Sequence, residues 1–261
     1  MLREKLNFKI GIIGVGFLGQ CLAESSIKLR AEIILSPRNL KRTASLKQHP
    51  NCMVAVNNSD VVAKASVILL ATLPGDIAST AKDLPWRDNQ SAISVAVGIQ
   101  RSEIAVAVSP AEAFRAMPIS VARLLETPTA FFPNDDRVFQ LFSGLNSAHP
   151  VKDNREFETA SIFGAFYVCI YALVEEASHW AGTNGLEAKY AHVLAARRIG
   201  SVMTNIIENN GQRPIEILED LLTPGGITET GFKILDASGA LQKWQEALES
   251  SLQRSQQISS S

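Results

Sequence analysis

The 261-residue chain predicts an α/β first half, a doubly wound parallel sheet, joined to an all-helical second half. Three observations carry this expectation. Short apolar runs alternate with helical stretches up to about residue 150. A glycine-rich loop stands between the first apolar run and the first helical stretch. From about residue 152 strand signals nearly vanish and helical periodicity takes over. Strands that alternate with helices build a parallel sheet covered on both faces, whereas a run of helices builds a separate layer.

The elements follow in order. Phe8–Gly14 reads as a buried strand and Phe17–Leu29 as a helix. Glu32–Leu35 is a second strand, followed by a helix over Leu40–Gln48. Ser66–Thr72 and Ala92–Val97 are β-rich runs stopped by Pro74 and Gly98. The charged stretch Val151–Glu158 marks the boundary, giving domains over 1–152 and 153–261. Phe157–Gly182, Leu186–Asn209, Pro214–Leu222 and Ala240–Arg254 read as helices broken at Gly182–Gly185 and Asn209–Gly211. The Ser/Gln-rich end after Leu252 reads as a frayed tail.

Composition excludes several classes. Lys plus Arg number 25 and Asp plus Glu 26, an even balance without the basic excess of a nucleic-acid binder. The three cysteines are odd in number and widely spaced, which fits a reducing cytoplasm better than a disulfide framework. The four histidines show no short ligand spacing, so no metal site is expected. The apolar stretch Ala160–Val174 ends at Glu175 and Glu176, short of the roughly 20 residues that span a bilayer. It reads as a buried helix with Cys169 in the core. A helix apolar all round must be covered on every side, and a domain of about 100 residues does this poorly alone. A homodimer or larger homo-oligomer through the helical half is therefore expected.

Gly14-Val15-Gly16-Phe17-Leu18-Gly19 matches GxGxxG between a strand and a helix, the setting in which glycines admit a pyrophosphate to a helix N-terminus. This is a Rossmann-type signature, with Gly14, Gly16, Phe17, Leu18 and Gly19 as candidate cofactor residues. An NAD site places a carboxylate at the end of the second strand. Here that strand runs into Ser36-Pro37-Arg38-Asn39-Leu40-Lys41-Arg42, and a hydroxyl, an amide and cations suit a 2′-phosphate. NADP(H) is expected over NAD(H), unless these cations simply form a solvated loop.

A second glycine-rich loop, Thr223-Pro224-Gly225-Gly226-Ile227-Thr228, opens a helix in the second half. It reads either as an interhelical turn with Thr228 as N-cap, or as a cradle of backbone N–H groups and hydroxyls for a small anion.

Taken together, these segments resemble the pyrroline-5-carboxylate reductase family along nearly the whole chain. KIGIIGVGFLG is similar to the family's nucleotide loop and Ser36–Asn39 to its 2′-phosphate segment. Asn58 falls where the family has an asparagine near the adenosine ribose. Leu69–Pro74 matches a strand that ends in Lys-Pro in the family, with Leu73 in place of the lysine. Ser94–Ile99 and Phe114–Pro118 match two further elements, and TPGGIT matches the family's Ser-Pro-Gly-Gly-x-Thr signature. The resemblance implies cofactor contacts at Ala71, Thr72, Leu73, Pro74, Val97, Gly98, Met117 and Pro118. It implies substrate contacts at Ser120, Thr223, Pro224, Gly225, Gly226, Ile227 and Thr228. Thr228 would hydrogen-bond a cyclic imino acid, and the helical half would interlock in a dimer.

Two segments depart from the family. Ile119-Ser120-Val121 replaces Asn-Thr-Pro, and Ile162-Phe163-Gly164-Ala165-Phe166-Tyr167 replaces Gly-Ser-Gly-Pro-Ala-Tyr. Both make the family's pocket bulkier and more apolar. The implied reaction is hydride transfer from NADPH to the C=N carbon of pyrroline-5-carboxylate. The alternatives are a different cyclic imine, or a non-catalytic NADP-binding sensor or scaffold. A related dehydrogenase of β-hydroxy acids uses a lysine on the first long helix of its second domain. No lysine occurs between Lys152 and Lys189, which argues against that chemistry.

Overall fold

The computed structural model describes residues 6–119, 128–145, 147–209 and 211–259. The chain divides into two compact units, 1–164 with 252–261, and 165–251.

The first unit is built on one eight-stranded sheet, order β3-β2-β1-β4-β5-β6-β7-β8. Its strands are β1 (Ile10–Ile13), β2 (Ile33–Leu35), β3 (Cys52–Val54), β4 (Val67–Leu70), β5 (Ser91–Ser94), β6 (Glu112–Met117), β7 (Pro128–Phe132) and β8 (Ser147–Pro150). All neighbours are parallel except β6 and β7. Between them run α1 (Phe17–Lys28), α2 (Leu40–Leu46), α3 (Asn58–Lys64), α4 (Ile77–Ala81), α5 (Arg101–Val108) and α6 (Asp136–Leu145).

Alternation along the strands divides the core into two layers. Ile12, Leu69, Ile93 and Phe114 stand in cross-strand register and pack with Leu22 of α1 and Leu141 and Phe142 of α6. On the opposite face Ile68, Ala92 and Ala113, also in register, pack with Val61 and Val62 of α3 and Ile104 and Val108 of α5. Such two-sided burial is why these strands read as continuous apolar runs. The chain passes from β1 outward to β2 and β3, then returns to β4 on the other side of β1. The carboxyl ends of β1 and β4 therefore flank the switch point at which open α/β sheets bind ligands.

The second unit holds most of α7 (Asn154–Thr183), then α8 (Ala188–Glu208), α9 (Pro214–Leu221), α10 (Ile227–Ala237) and the greater part of α11 (Ala240–Ser259). Phe166 of α7 packs on Trp244 of α11 with ring centroids 5.3 Å apart. Large apolar side chains stay exposed along α7 and α8, among them Val168, Tyr171, Leu173, Leu194 and Val202. By length and composition α7 is long and apolar enough to cross a membrane.

Two expectations are corrected here. Cys169 is exposed rather than core, as are its neighbours Val168 and Tyr171 on α7. The Ser/Gln-rich end is not a frayed tail: α11 continues to Ser259, with Ser255 buried and Ile258 packed onto Gly98.

Candidate active site

A cleft of about 820 Å³ lies at the switch point of the sheet. Four chain segments that leave neighbouring strands at their carboxyl ends form its walls: Gly14–Leu18 after β1, Arg38–Leu40 after β2, Ala71–Asp76 after β4, and Val95–Val97 after β5. Gly14 takes φ +97°, and a Cβ there would run into the backbone of Ala71 and Thr72 at 2.6–2.7 Å. Only glycine lets the loop turn this closely over β4. Nothing stands within 4 Å of a Cβ built on Gly16, so the approach to the N-terminus of α1 is open. A Cβ on Gly19 would strike the Gly14 carbonyl oxygen, which fixes the helix tightly against the loop.

The polar groups of this cleft fit a dinucleotide. Gly16 is the N-cap of α1 without a side-chain cap, which leaves first-turn N–H groups for an anion. Thr72 Oγ1 is buried in the cleft wall with no hydrogen-bond partner among the described residues. Arg38 is exposed on the cleft and makes no ion pair or hydrogen bond among the described residues. Arg42 is engaged elsewhere: it donates to Gln20 Oε1 (2.6 Å) and lies 5.9 Å from the Phe17 ring centroid. Asn39 caps α2, its Oδ1 accepting from the Arg42 amide at 3.2 Å.

The structure thus brings Gly14, Gly16, Phe17, Leu18, Arg38, Asn39, Ala71, Thr72, Leu73, Pro74 and Val97 onto one cleft. Other candidates lie off it. Gly19 is packed beneath the loop. Ser36 is 2% exposed, and its hydroxyl accepts from the Gly14 amide at 3.0 Å. Asn58 begins α3. Gly98 (φ +82°) is covered by Ile258. Met117 lines a different cavity, Pro118 is buried, and Ser120 lies outside the described residues. Val95, Ala96 and Asp76, which the sequence did not single out, also line the cleft. For Val95 and Ala96 the available signal was their place directly after β5 at the carboxyl edge.

β6 carries the buried guanidinium of Arg115, 2% exposed, which stacks 4.4 Å over the Phe157 ring. It donates to Asn154 Oδ1 at 2.6 Å and stands 3.8 Å from Glu158. Burial pulls its pKa below the ordinary arginine value, and the Glu158 carboxylate opposes that pull. Arg115 thereby pins the first turns of α7 to the sheet.

The second glycine-rich loop lies in the other unit, at the start of α10. Gly226, not Thr228, is the N-cap, and Thr228 stands exposed in the first turn. Gly225 takes φ +73°; its amide donates to Glu229 Oε2 (2.8 Å), and the Gly226 amide to the Thr223 carbonyl (2.9 Å). Hydrogen bonds from Lys233 and the Gly225 amide hold the Glu229 carboxyl below its ordinary pKa. The Thr228 hydroxyl and the amides of Ile227 and Thr228 carry no hydrogen bond among the described residues.

Comparison with known proteins agrees on both halves. Residues 9–98 match the family model "NADP oxidoreductase coenzyme F420-dependent", and residues 158–258 match "Pyrroline-5-carboxylate reductase dimerisation". Pyrroline-5-carboxylate reductase of Methanosarcina acetivorans is 23% identical, over 97% of this chain and 98% of its own. The NADP-bound crystal structure of Plasmodium falciparum pyrroline carboxylate reductase superposes with a TM-score of 0.86 at 18% identity, over 98% and 100% of the two chains. A reductive aminase of Aspergillus terreus, crystallised with an NADPH-type cofactor, cyclohexanone and allyl amine, gives a TM-score of 0.62 at 16% identity, over 92% and 89%. The matches support NAD(P)H binding by this chain, and the match over 158–258 supports association between copies through the helical half. With both halves matched separately and relatives along its whole length, the chain belongs to the pyrroline-5-carboxylate reductase family of oxidoreductases.

Proposed function

We propose that the chain reduces the C=N bond of a cyclic imino acid with NADPH, with pyrroline-5-carboxylate as the first candidate substrate. The observation that carries this reading is the cleft at the switch point, where the open Gly16 approach, the unpartnered Thr72 hydroxyl and the unpaired Arg38 meet in a chain whose full-length relatives are pyrroline-5-carboxylate reductases. NADPH, when bound, supplies the hydride. The loop after β1 and the N-terminus of α1 would hold its pyrophosphate, and Arg38 and Asn39 its 2′-phosphate end. Thr72 and Val95–Val97 would line the far end of the cofactor.

A protonated imine is already electrophilic, so the protein's task is to hold the reacting carbon and exclude water rather than to supply a strong acid. Thr228 would hydrogen-bond the imine nitrogen or the carboxylate. The first-turn amides of α10 are the donors left for that carboxylate, since Glu229 and Thr223 already occupy those of Gly225 and Gly226. The test is loss of NADPH absorbance with five- and six-membered cyclic imino acids. Turnover with either supports the reading, and tight NADPH binding without turnover on any imine supports a non-catalytic cofactor-binding role instead.

A further inference from the structure

The first unit holds a second cavity of about 410 Å³, apart from the dinucleotide cleft. Its floor is a row of cross-strand neighbours: Met117 pairs with Ala130, and Ala130 with His149. Side chains in register lie on the same face of a sheet, so β6, β7 and β8 each contribute one residue to this floor. The roof is one face of α7, where Ala160, Phe163 and Gly164 follow the i, i+3, i+4 spacing that places side chains together. Ile119, two residues beyond Met117, closes one end. A Cβ on Gly164 would stand 3.0 Å from Met117 Cε and 4.0 Å from Ile119 Cγ2, so a side chain there would press on the Met117 and Ile119 side of the cavity.

The chemistry of this lining is one-sided. Among the described residues, the lining is apolar apart from the exposed His149. The guanidinium of Arg115, on the same face of β6 as Met117, is held by Phe157, Asn154 and Glu158, with its buried Nε without a hydrogen-bond partner among the described residues. Among the described lining residues a carboxylate would meet only His149 as a polar partner, whereas an alkyl or aryl group gains from burial against the rest.

Its position makes the cavity relevant to the reaction. Ser94 of β5 pairs with Arg115 of β6, so the two strands leave the sheet side by side. After β5 the chain lines the dinucleotide cleft with Val95–Val97; at the end of β6 it lines the cavity with Met117 and Ile119. Arg38 lines the cleft on the β2 side, so a dinucleotide with its 2′-phosphate there would extend its reactive end toward the β4–β5 side, and β5 is the strand paired with β6.

We propose that the apolar cavity between β6–β8 and α7 is a specificity subsite that takes an alkyl or aryl substituent of the imine, so that the substrate class extends to cyclic imines carrying an apolar group in place of a carboxylate. This rests on the C=N reduction proposed above. The experiment compares kcat/KM of the full chain with NADPH for 2-phenyl-1-pyrroline and for pyrroline-5-carboxylate, in the wild type and in Gly164→Leu. The aryl imine is expected to be reduced, with kcat/KM at least equal to that for the carboxylate. Filling the cavity should lower the ratio of aryl to carboxylate kcat/KM by roughly tenfold or more, the scale on which an apolar pocket discriminates bulk. Phe163→Ala, which enlarges the cavity, provides a second variant and should raise the ratio for a 2-naphthyl imine over the phenyl one. NADPH fluorescence and thermal melting report that each variant is folded. Reduction of pyrroline-5-carboxylate without reduction of the aryl imine overturns the subsite and leaves the C=N reading standing, as does an unchanged ratio in both variants. Reduction of neither imine overturns both.

Discussion

The amide of Gly14 donates to the buried hydroxyl of Ser36 at 3.0 Å, tying the turn after β1 to the end of β2 across 22 residues of sequence. This bond makes Ser36 a support of the phosphate loop rather than part of the cleft wall. Ser36→Ala leaves a partly buried N–H without its partner, a loss of about 1–3 kcal/mol. Both NADPH and NADH should bind more weakly, by similar factors, in a fluorescence titration. Selective loss of NADPH affinity would show instead that the hydroxyl reaches the 2′-phosphate.

Arg38 carries the opposite expectation. Arg38 lines the cleft with no ion pair or hydrogen bond among the described residues, and a charge-assisted bond to a phosphate is worth about 1.5–3 kcal/mol. Arg38→Ala should raise the Kd for NADPH roughly 10- to 150-fold while leaving NADH nearly unchanged. Equal effects on the two cofactors would remove the structural basis for an NADP preference.

Gly98 and Ile258 join the C-terminal helix to the loop after β5. A Cβ at Gly98 would stand 2.5 Å from Ile258 Cγ2, and φ there is +82°. Gly98→Ala should cost about 1–3 kcal/mol through backbone strain and overpacking, seen as a lower Tm. Ile258→Ala in the same chain should recover part of that loss, giving a coupling above about 0.5 kcal/mol in a double-mutant cycle. Strict additivity would mean that the helix end is not seated on the loop.

The three thiols separate by environment. Burial pushes the Cys52 thiol up to about 11, so at pH 8 only about one molecule in a thousand carries its reactive thiolate. Cys21 is buried as well, and Cys169 is exposed on the uncovered part of α7. Light scattering at micromolar concentration should give a dimer or larger assembly, with Cys169 labelling faster as dilution dissociates it. A monomer whose Cys169 labels at one rate at every concentration would contradict an interface on α7.

Thr228 is the sharpest test of the second glycine-rich loop. Its hydroxyl does not cap α10, since Gly226 holds that position, so the plain turn gives it no task. Thr228→Ala should lower kcat/KM by roughly 10- to 150-fold, as for a lost hydrogen bond to a charged group of about 1.5–3 kcal/mol, with little change in Tm. Wild-type turnover would remove Thr228 from the site.

Much of the first half was legible because strands buried on both faces are continuous apolar runs: β1, β2 and β4 fall inside the expected stretches, and β5, Ser91–Ser94, overlaps the expected Ala92–Val97 but ends three residues earlier. β3, β7 and β8 were not, being short edge or near-edge strands, and Pro128–Phe132 both opens on proline and reverses direction against β6. That reversal builds the floor of the apolar cavity, so the cavity had no signature in spacing. The glycine-rich loop was legible because glycine geometry is local, and the Ala71–Pro74 segment through its resemblance to the family's strand end. The bond from Gly14 to Ser36 was not, since a serine beside an arginine reads the same whether it faces a ligand or a neighbouring loop. The C-terminal helix was misread because Ser and Gln suit a solvated tail, and the packing of Ile258 on Gly98 lies 160 residues away in sequence.

Hydride transfer itself can be followed with NADPH deuterated at C4 on the transferred face and pyrroline-5-carboxylate or an aryl pyrroline as acceptor. The account predicts a reduced product one mass unit heavier by mass spectrometry, with the deuterium on the former C=N carbon. Cofactor binding with no deuterium in any imine product would contradict it.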